Sequence, residues 1–147
     1  MQVTHNVNEL LNSTSRNMAA MRACVKAAYK SNHKQHRIGC VLIKGGSIIS
    51  RGWNSSHIHS EHAMLNRAWR QTDLAGGLVA IVRIRKDGTL GNSKPCKLCV
   101  DRLIQAGIKR VLFSNSRGEL EEMKLAAPRS SFLYLEYHYL KPQYEAK

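Results

Sequence analysis

Residues 78–84, Leu-Val-Ala-Ile-Val-Arg-Ile, decide the fold of this chain. The stretch is dominated by valine and isoleucine. Gly76-Gly77 precedes it and the polar turn Lys86-Asp87-Gly88 follows it. A short apolar run between turn residues is typical of a strand that is buried on both faces. We therefore expect this strand to lie inside a sheet that is covered on both sides.

The segments on either side of this strand predict helices and further strands. Helical spacing of apolar residues covers 18–30, 60–72 and 96–106, and strand patterns cover 38–43 and 48–52 around a Gly-Gly turn, 110–114, and a more polar stretch, 119–125. The tail from 131 to 140 fits a strand or a helix. The order of these elements predicts an α/β fold in which helices cover both faces of a single mixed β-sheet.

The length of the chain and the lack of export signals limit the classes of protein to which it can belong. A chain of 147 residues suits one domain with a proper core. We expect a single domain over residues 1–147, with residues 1–12 and 126–147 as terminal extensions. The N-terminus lacks the basic start and apolar stretch of a signal peptide, and no apolar run reaches membrane-spanning length. We therefore expect a cytoplasmic protein with no membrane partner.

The charge balance indicates an anionic partner. The chain has 23 Lys and Arg against 10 Asp and Glu, a net charge of +13, which exceeds the magnitude of about 2–8 that solubility asks of a small domain. A nucleotide phosphate or a polynucleotide backbone would suit this charge. The alternative is a generally solvated basic surface. The basic residues are spread along the chain, so the sequence alone does not show whether they form a patch.

Two short motifs predict a zinc site. His59-Ser60-Glu61 begins one predicted helix, and Pro95-Cys96-Lys97-Leu98-Cys99 begins another. A structural zinc takes four protein ligands, whereas a catalytic zinc takes three and leaves the fourth position to water. His59, Cys96 and Cys99 supply three, which predicts one catalytic Zn²⁺ per chain with water or hydroxide as its fourth ligand. We also expect the helix N-terminus to lower the pKa of the two thiols.

Other histidines and cysteines have simpler interpretations. His57 and His62 are neighbouring alternative ligands, but their spacing from Glu61 suits the chemistry less well. Cys24 and Cys40 lie in apolar stretches, and we expect them to be inert core thiols because a free cysteine packs as a small hydrophobe.

Glu61 has the spacing of a general acid and base. Once His59 binds the metal, the carboxylate two residues later can hydrogen-bond the metal-bound water and take its proton. It can then carry that proton to a ring nitrogen and later protonate a leaving amine. The chemistry that follows is the hydrolytic deamination of a base with an exocyclic amine, cytosine or adenine.

The combination of H-x-E with P-C-x-x-C resembles the zinc-dependent cytidine, deoxycytidylate and tRNA-adenosine deaminases. The resemblance covers roughly residues 19–114, and the passage at 105–111 is similar to the deoxycytidylate and tRNA branches. It implies a cytidine deaminase-like α-β-α sandwich, His59, Cys96 and Cys99 as metal ligands, Glu61 as the proton shuttle, and Asn54 as a contact to the substrate. By analogy it also implies a homo-oligomer.

The chain departs from the family pattern at three places. Ser60 stands where alanine is usual, the loop from 54 to 59 is short, and the stretch 85–94 is longer than in the tRNA enzymes. Lys94 replaces the acidic or serine residue often found before the proline. These departures leave the chemistry intact and bear on which substrate is used.

Three functions therefore compete. The first, slightly preferred, is the conversion of cytosine to uracil in a cytidine or deoxycytidine nucleotide. The second is a deaminase that acts on adenosine or cytidine in tRNA or in single-stranded DNA or RNA, which the charge favours. The third is a zinc-stapled nucleic-acid-binding module without catalysis, which needs the metal but not Glu61.

Several residues keep a structural alternative beside a functional one. Asn54 shapes a turn if it does not contact the substrate. We expect Trp53 and Trp69 to be packing residues rather than base-stacking surfaces. Tyr134, Tyr137 and Tyr139 either cover the core or stack on bases.

Overall fold

The strand predicted from residues 78–84 is central in a computed structural model of the chain, which describes residues 5–12, 18–33, 35–55, 58–68 and 74–125. The helices are α1 (Val7–Asn12), α2 (Ala19–Ala28), α3 (Ser60–Ala68) and α4 (Lys97–Gln105). The strands are β1 (His36–Lys44), β2 (Ser47–Trp53), β3 (Leu78–Arg85), β4 (Leu90–Gly91), β5 (Arg110–Ser114) and β6 (Leu120–Lys124).

The six strands form one mixed sheet in the order β2-β1-β3-β5-β6, and β4 pairs with β3 beside this path. The β1–β2, β1–β3, β3–β4 and β5–β6 pairs are antiparallel. The β3–β5 pair is parallel, as the crossover through α4 requires. The predicted α/β fold with a single mixed sheet is confirmed.

Alternating side chains of β3 supply two separate cores. Ala80 and Val82 belong to a cluster with residues of α1 and α2, whereas Val79 and Ile81 belong to a cluster with residues of α3 and α4. Because successive side chains of a strand lie on opposite faces, the helices cover both sides of the sheet. All four β3 residues have no exposed side-chain surface, which accounts for the uninterrupted apolar run in the sequence.

Two glycines let helices approach the sheet closely. A Cβ added at Gly39 on β1 would lie 2.2 Å from the carbonyl oxygen of Cys24 in α2. A Cβ added at Gly52 on β2 would lie 2.3 Å from the carbonyl oxygen of Ser60 in α3. Gly39 and Gly52 therefore mark opposite faces, with α2 on one side and α3 on the other.

The structure adds two short elements that the sequence pattern did not predict. The helix α1 has six residues, too few for a periodic signal, but Val7 and Leu10 are buried in the α2-side core. The strand β4 has two residues, and its pairing with β3 defines it. The tail at 131–140 with its three tyrosines, Trp69 and the end of the predicted helix at 60–72 lie outside the described residues. No helix in the described part of the chain is long and apolar enough to cross a membrane.

Candidate metal centre

The two motif segments meet where α3 and α4 begin. His59 directly precedes α3, and its carbonyl oxygen accepts the hydrogen bond from the amide of Ala63. Cys96 is the N-cap of α4, and its carbonyl oxygen accepts from the amide of Val100. The side chain of Cys96 makes no capping hydrogen bond, so its sulfur is not used by the helix.

The three predicted ligands have the separations of a zinc site. Their ligand atoms lie within 4.8 Å of one another. The Nδ1 atom of His59 is 3.8 Å from the sulfur of Cys96 and 3.4 Å from the sulfur of Cys99. Bonds of about 2.3 Å to sulfur and about 2.0 Å to nitrogen place these atoms about 3.5 Å apart in a tetrahedron. His59, Cys96 and Cys99 are therefore positioned to bind a zinc ion.

Within the described part of the chain, this cluster contains three ligand residues and no fourth. His62, the alternative ligand, lies elsewhere: its Nε2 atom is 3.4 Å from the guanidinium of Arg102 on α4. His57 lies outside the described residues. Three ligands are the number that a catalytic zinc uses.

Glu61 is buried beside the ligands and is held by its neighbour. Its side chain is 6 % exposed, and the hydroxyl of Ser60 donates a hydrogen bond of 2.5 Å to its Oε1 atom. Ser60 is itself fully buried, and its carbonyl oxygen accepts from the thiol of Cys40 at 3.1 Å. The residue that departs from the family pattern therefore orients the carboxylate, a contact that the motif spacing did not predict.

The loop before Cys96 is fixed by a buried serine pair. The hydroxyl of Ser93 donates to the carbonyl oxygen of Ile81 on β3 at 2.9 Å and accepts from the amide of Ser114 on β5 at 2.8 Å. The amide of Ser93 donates to the carbonyl oxygen of Ser114. The hydroxyl of Ser114 in turn donates to the carbonyl oxygen of Gly91 at 2.7 Å. These bonds connect the cysteine loop to the centre of the sheet.

Asn54 lies in the site, but its amide is largely engaged by the backbone of β1. Its Oδ1 atom accepts from the amide of Ile38 at 2.9 Å, and its Nδ2 atom donates to the carbonyl oxygen of His36 at 2.6 Å. One Nδ2 hydrogen remains for another partner. The structural alternative considered for Asn54 is thus visible, since these bonds continue the β1–β2 pairing past the end of β2.

A cavity of about 370 Å³ opens over these residues, a size typical of small-molecule sites. The structure brings Asn54, His59, Glu61 and Cys96 together in its wall. The full lining is His33, Ile38, Asn54, Ser55, Ile58, His59, Ser60, Glu61, Asn92, Ser93, Lys94 and Cys96. The sequence did not single out His33, whose Nδ1 atom accepts from the amide of His36 at 3.1 Å. Because Nδ1 is an acceptor, the ring proton is on Nε2.

The predicted lowering of the thiol pKa by the helix N-terminus is not found at Cys99 in the protein without a metal. Burial raises the pKa of Cys99, and the nearby charge of Glu61 raises it further. These causes oppose the charge at the helix start, so the thiolate form depends on a bound cation. Burial also raises the pKa of Cys24 and Cys40, whose thiols donate to backbone carbonyl oxygens. Their predicted role as inert core thiols agrees with this.

Comparisons with known proteins agree with this geometry. Residues 14–115 match the family model of the cytidine and deoxycytidylate deaminase zinc-binding region. Over 78 residues the chain is 30% identical to the diaminohydroxyphosphoribosylamino-pyrimidine deaminase of Buchnera aphidicola subsp. Schizaphis graminum (strain Sg), which covers 53% of this chain and 50% of that protein. The chain thus spans about half the length of this relative and of a second Buchnera deaminase, and about a fifth of two RibD proteins.

Two solved structures share the fold. The dCMP deaminase of the cyanophage S-TIM5 superposes with a TM-score of 0.58 and 22% identity, over 71% of this chain and 86% of that one. A tRNA:A34 deaminase superposes with a TM-score of 0.54 and 20% identity, over 69% of this chain and 78% of that one. The predicted cytidine deaminase-like sandwich is confirmed. Since the family model matches residues 14–115, more than half of the chain, and His59, Cys96 and Cys99 within that range are positioned to bind a metal, the chain belongs to the cytidine and deoxycytidylate deaminase family.

Proposed function

We propose that this protein is a zinc-dependent hydrolytic deaminase that converts cytosine to uracil in a cytidine or deoxycytidine nucleotide. One observation carries the proposal: a buried glutamate, Glu61, lies beside a cluster of three metal ligands in the wall of an open cavity. A closed four-ligand cluster would favour a structural metal instead.

In this proposal His59, Cys96 and Cys99 hold the zinc. When bound, zinc supplies a nucleophile at neutral pH, because it lowers the pKa of a water ligand to about 7. The helix starts at Ser60 and Lys97 add partial positive charge near the two thiolates. The deep position of Cys99, which is 3 % exposed, keeps bulk water from its sulfur.

Glu61 moves the protons. It accepts a proton from the attacking water as the new carbon–oxygen bond forms, and it passes that proton to the ring nitrogen next to the reacting carbon. It then takes the second proton of that water from the new hydroxyl on the reacting carbon and gives it to the exocyclic amine. The carbon–nitrogen bond breaks, the carbonyl forms, and ammonia leaves. The hydrogen bond from Ser60 restricts the carboxylate to one orientation during these transfers.

Asn54 and the cationic rim are the proposed substrate contacts. The free Nδ2 hydrogen of Asn54 is a donor for the sugar or base. Lys94 is exposed in the cavity wall and His33 offers an Nε2 donor there, which suits a phosphorylated substrate. The Buchnera relative is by its name a deaminase of a phosphoribosylamino-pyrimidine. The cationic residues of the cavity and the name of this relative therefore both support a substrate that has a phosphate and an aminated pyrimidine.

A polynucleotide deaminase is the second candidate. The net charge of +13 favours it, and a tRNA:A34 deaminase is among the structures that share the fold. The third candidate, a module that binds nucleic acid without catalysis, gives no role to the burial of Glu61 and its hydrogen bond with Ser60.

A panel of substrates tests the proposal. The zinc-loaded protein is incubated with dCMP, dCTP, cytidine, a phosphoribosylamino-pyrimidine, an adenosine-containing tRNA loop and single-stranded DNA, and ammonia release and product mass are measured. We expect dCMP to be deaminated fastest and cytidine more slowly, because cytidine lacks the phosphate. Deamination of the tRNA loop or DNA alone would replace the first candidate with the second. Failure of every compound to release ammonia would contradict both.

The remaining expectations belong to the same proposal. We infer one deaminase domain over residues 1–147, located in the cytoplasm, where its four unpaired cysteines stay reduced. We also infer a homo-oligomer, since two apolar side chains next to the metal-ligand residues in sequence, Leu98 and Ile58, are 59 % and 41 % exposed. Light scattering of the purified protein measures the assembly directly.

A further inference from the structure

We propose that the outer edge of β2 binds the phosphate backbone of a single-stranded nucleic acid. The surface, here named the β2-edge patch, consists of Lys30, Arg51, Trp53 and Arg67. This surface would serve the second candidate function, a polynucleotide deaminase. Binding at the surface does not depend on the proposed function; only the deamination of a bound base rests on it.

Contacts with Trp53 hold two cations of the patch in place. The guanidinium carbon of Arg67 lies 3.9 Å from the centroid of the Trp53 ring, and the ammonium of Lys30 lies 5.0 Å from it. Arg67 also donates a hydrogen bond of 3.1 Å to the carbonyl oxygen of Arg51. Cation–π contacts of this kind order long basic side chains. The charges are thereby preorganised, which lowers the entropy cost of binding an anion.

The cations come from both sides of the sheet. Lys30 follows α2, which packs on the face marked by Gly39, and Arg67 belongs to α3, which packs on the face marked by Gly52. The strand β2 is at the end of the strand order. Basic residues from the two helical layers therefore converge on one exposed edge, although they are far apart in sequence.

Among the residues that the structure describes, none provides an acidic partner for a cation of the patch. The chain between Glu9 and Glu61 contains no Asp or Glu, and its basic residues are Arg16, Arg22, Lys26, Lys30, Lys34, Arg37, Lys44 and Arg51. No ion pair of the described residues involves Lys30, Arg51 or Arg67, and all three are exposed. A surface with several uncompensated cations suits a chain of phosphates rather than a single one.

The opposite edge of the sheet has a different charge pattern. Near β6, Arg110 pairs with Glu122 at 3.3 Å and Arg117 pairs with Glu119 at 2.9 Å. Two basic residues of that edge therefore have acidic partners, whereas no ion pair of the described residues involves a cation of the β2-edge patch. This asymmetry argues against a uniformly solvated basic surface.

The β2-edge patch is next to cavity-lining residues along the chain. Trp53 is followed by Asn54, and Lys30 lies three residues before His33; both Asn54 and His33 line the cavity. A strand whose phosphates follow the edge would therefore pass the opening of the site. Trp53 is half-buried and supports cations, so its role is to order them rather than to stack on a base.

The test measures binding without catalysis. The zinc-loaded protein of residues 1–147 is titrated with fluorescently labelled oligothymidylate and oligouridylate at several salt concentrations. Neither polymer has an exocyclic amine, so deamination cannot affect the result. A triple variant, Lys30→Ala, Arg51→Ala and Arg67→Ala, is compared with a control triple variant, Lys109→Ala, Arg117→Ala and Lys124→Ala. Both lose three positive charges at exposed positions. Zinc content and melting temperature show that both are folded.

We expect the patch variant to bind at least about tenfold more weakly than the wild type. We also expect the slope of log K against log salt concentration to become shallower by about two for this variant. Each phosphate contact on a single strand contributes about 0.7 to that slope, and three contacts are lost. The control variant should lose less than about threefold. The polymer that binds more tightly identifies the partner as DNA or RNA. Equal losses in the two variants would show a general charge effect and overturn the proposal, as would the absence of binding by the wild type.

Discussion

The two helix starts that form the metal centre are held by different kinds of contact. The start of α3 is packed: Ser60 and Glu61 are buried, and Gly52 lies so close that a Cβ there would be 2.3 Å from the Ser60 carbonyl oxygen. The start of α4 is open: Cys96 and Leu98 are exposed in its first turn. The loop before it is held by hydrogen bonds from Ser93 to β3 and β5.

This difference separates two roles. Glu61, the proposed proton-transfer residue, belongs to the tightly packed start, where its position tolerates little change. The cysteines belong to the start of α4, which is held in place by hydrogen bonds and by a bound metal. Substitutions at α3 should therefore change the reaction while the metal stays bound. Substitutions at α4 should change metal binding first, and activity as a consequence.

The largest expected effects come from Cys96→Ser and Glu61→Gln, studied as a pair. Cys96→Ser should lower zinc affinity by more than about 100-fold, because even residues behind the ligands contribute about 10- to 100-fold. Glu61→Gln should keep stoichiometric zinc while the deamination rate falls by about 10²- to 10⁴-fold, the usual contribution of a general acid and base. Metal content by mass spectrometry and ammonia release measure the two effects.

The melting temperature supplies the control for this pair. Cys96 is exposed, so replacing it leaves no core cavity, and the variant should melt at the same temperature as chelator-treated wild type. Glu61→Gln should melt with the zinc-loaded wild type. Stoichiometric zinc in Cys96→Ser, or full activity in Glu61→Gln, would remove the separation of roles between the two helix starts.

A smaller effect is expected at Ser93, on the α4 side. Ser93→Ala removes hydrogen bonds to Ile81 and Ser114 and leaves buried backbone groups unpaired, so stability should fall by about 1–3 kcal/mol. Zinc affinity should fall with it, since the cysteine loop loses its connection to the sheet. Urea unfolding and zinc competition titration measure both quantities.

Ser50→Ala is the matched control for Ser93. Ser50 is also a buried serine, and it donates one hydrogen bond of 2.8 Å to the carbonyl oxygen of Met64 on the α3 side. It should lose about 1 kcal/mol of stability and keep its zinc affinity. If both variants lost zinc affinity equally, the serine pair would have no particular role at the cysteine loop.

The smallest effect is expected at Ser60. Ser60→Ala removes the hydrogen bond to Oε1 of Glu61 and restores the residue usual in the family. The hydrogen bond that orients the carboxylate is worth about 1 kcal/mol, so its loss should lower kcat by about threefold to tenfold. KM and zinc content should be unchanged. Steady-state kinetics on the best substrate of the panel test this. A change in KM alone, or an unchanged kcat, would contradict a positioning role for the hydroxyl.

Much of the fold could be predicted because its signals are local. The apolar run at 78–84 and the Gly-Gly turn at 45–46 depend on neighbours in sequence, and β3 and the β1–β2 hairpin follow the predicted boundaries within about two residues. The helix α1 and the strand β4 escaped prediction because each depends on distant partners: α1 on the α2-side core, and β4 on its pairing with β3.

The metal cluster was predictable for a different reason. Histidine and cysteine have few roles that place them at two helix starts with this spacing, so their identities alone indicate a zinc site. The pKa of Cys99 was not predictable, because burial and the charge of Glu61 depend on the packed structure. The hydrogen bonds of Asn54 with β1 likewise join residues that are 16 and 18 positions apart.

By itself, the sequence determined the His59, Cys96 and Cys99 cluster, the order of the longer helices and strands, and the sum of the charges, because each is a property of residue types and their spacing. Only the tertiary structure decided where those charges collect and which serines hold the site. Lys30 and Arg67 meet at Trp53, and Ser93 meets Ser114, through packing of helices on a sheet. Such packing acts between residues that are distant in the chain, and short-range patterns carry no record of it.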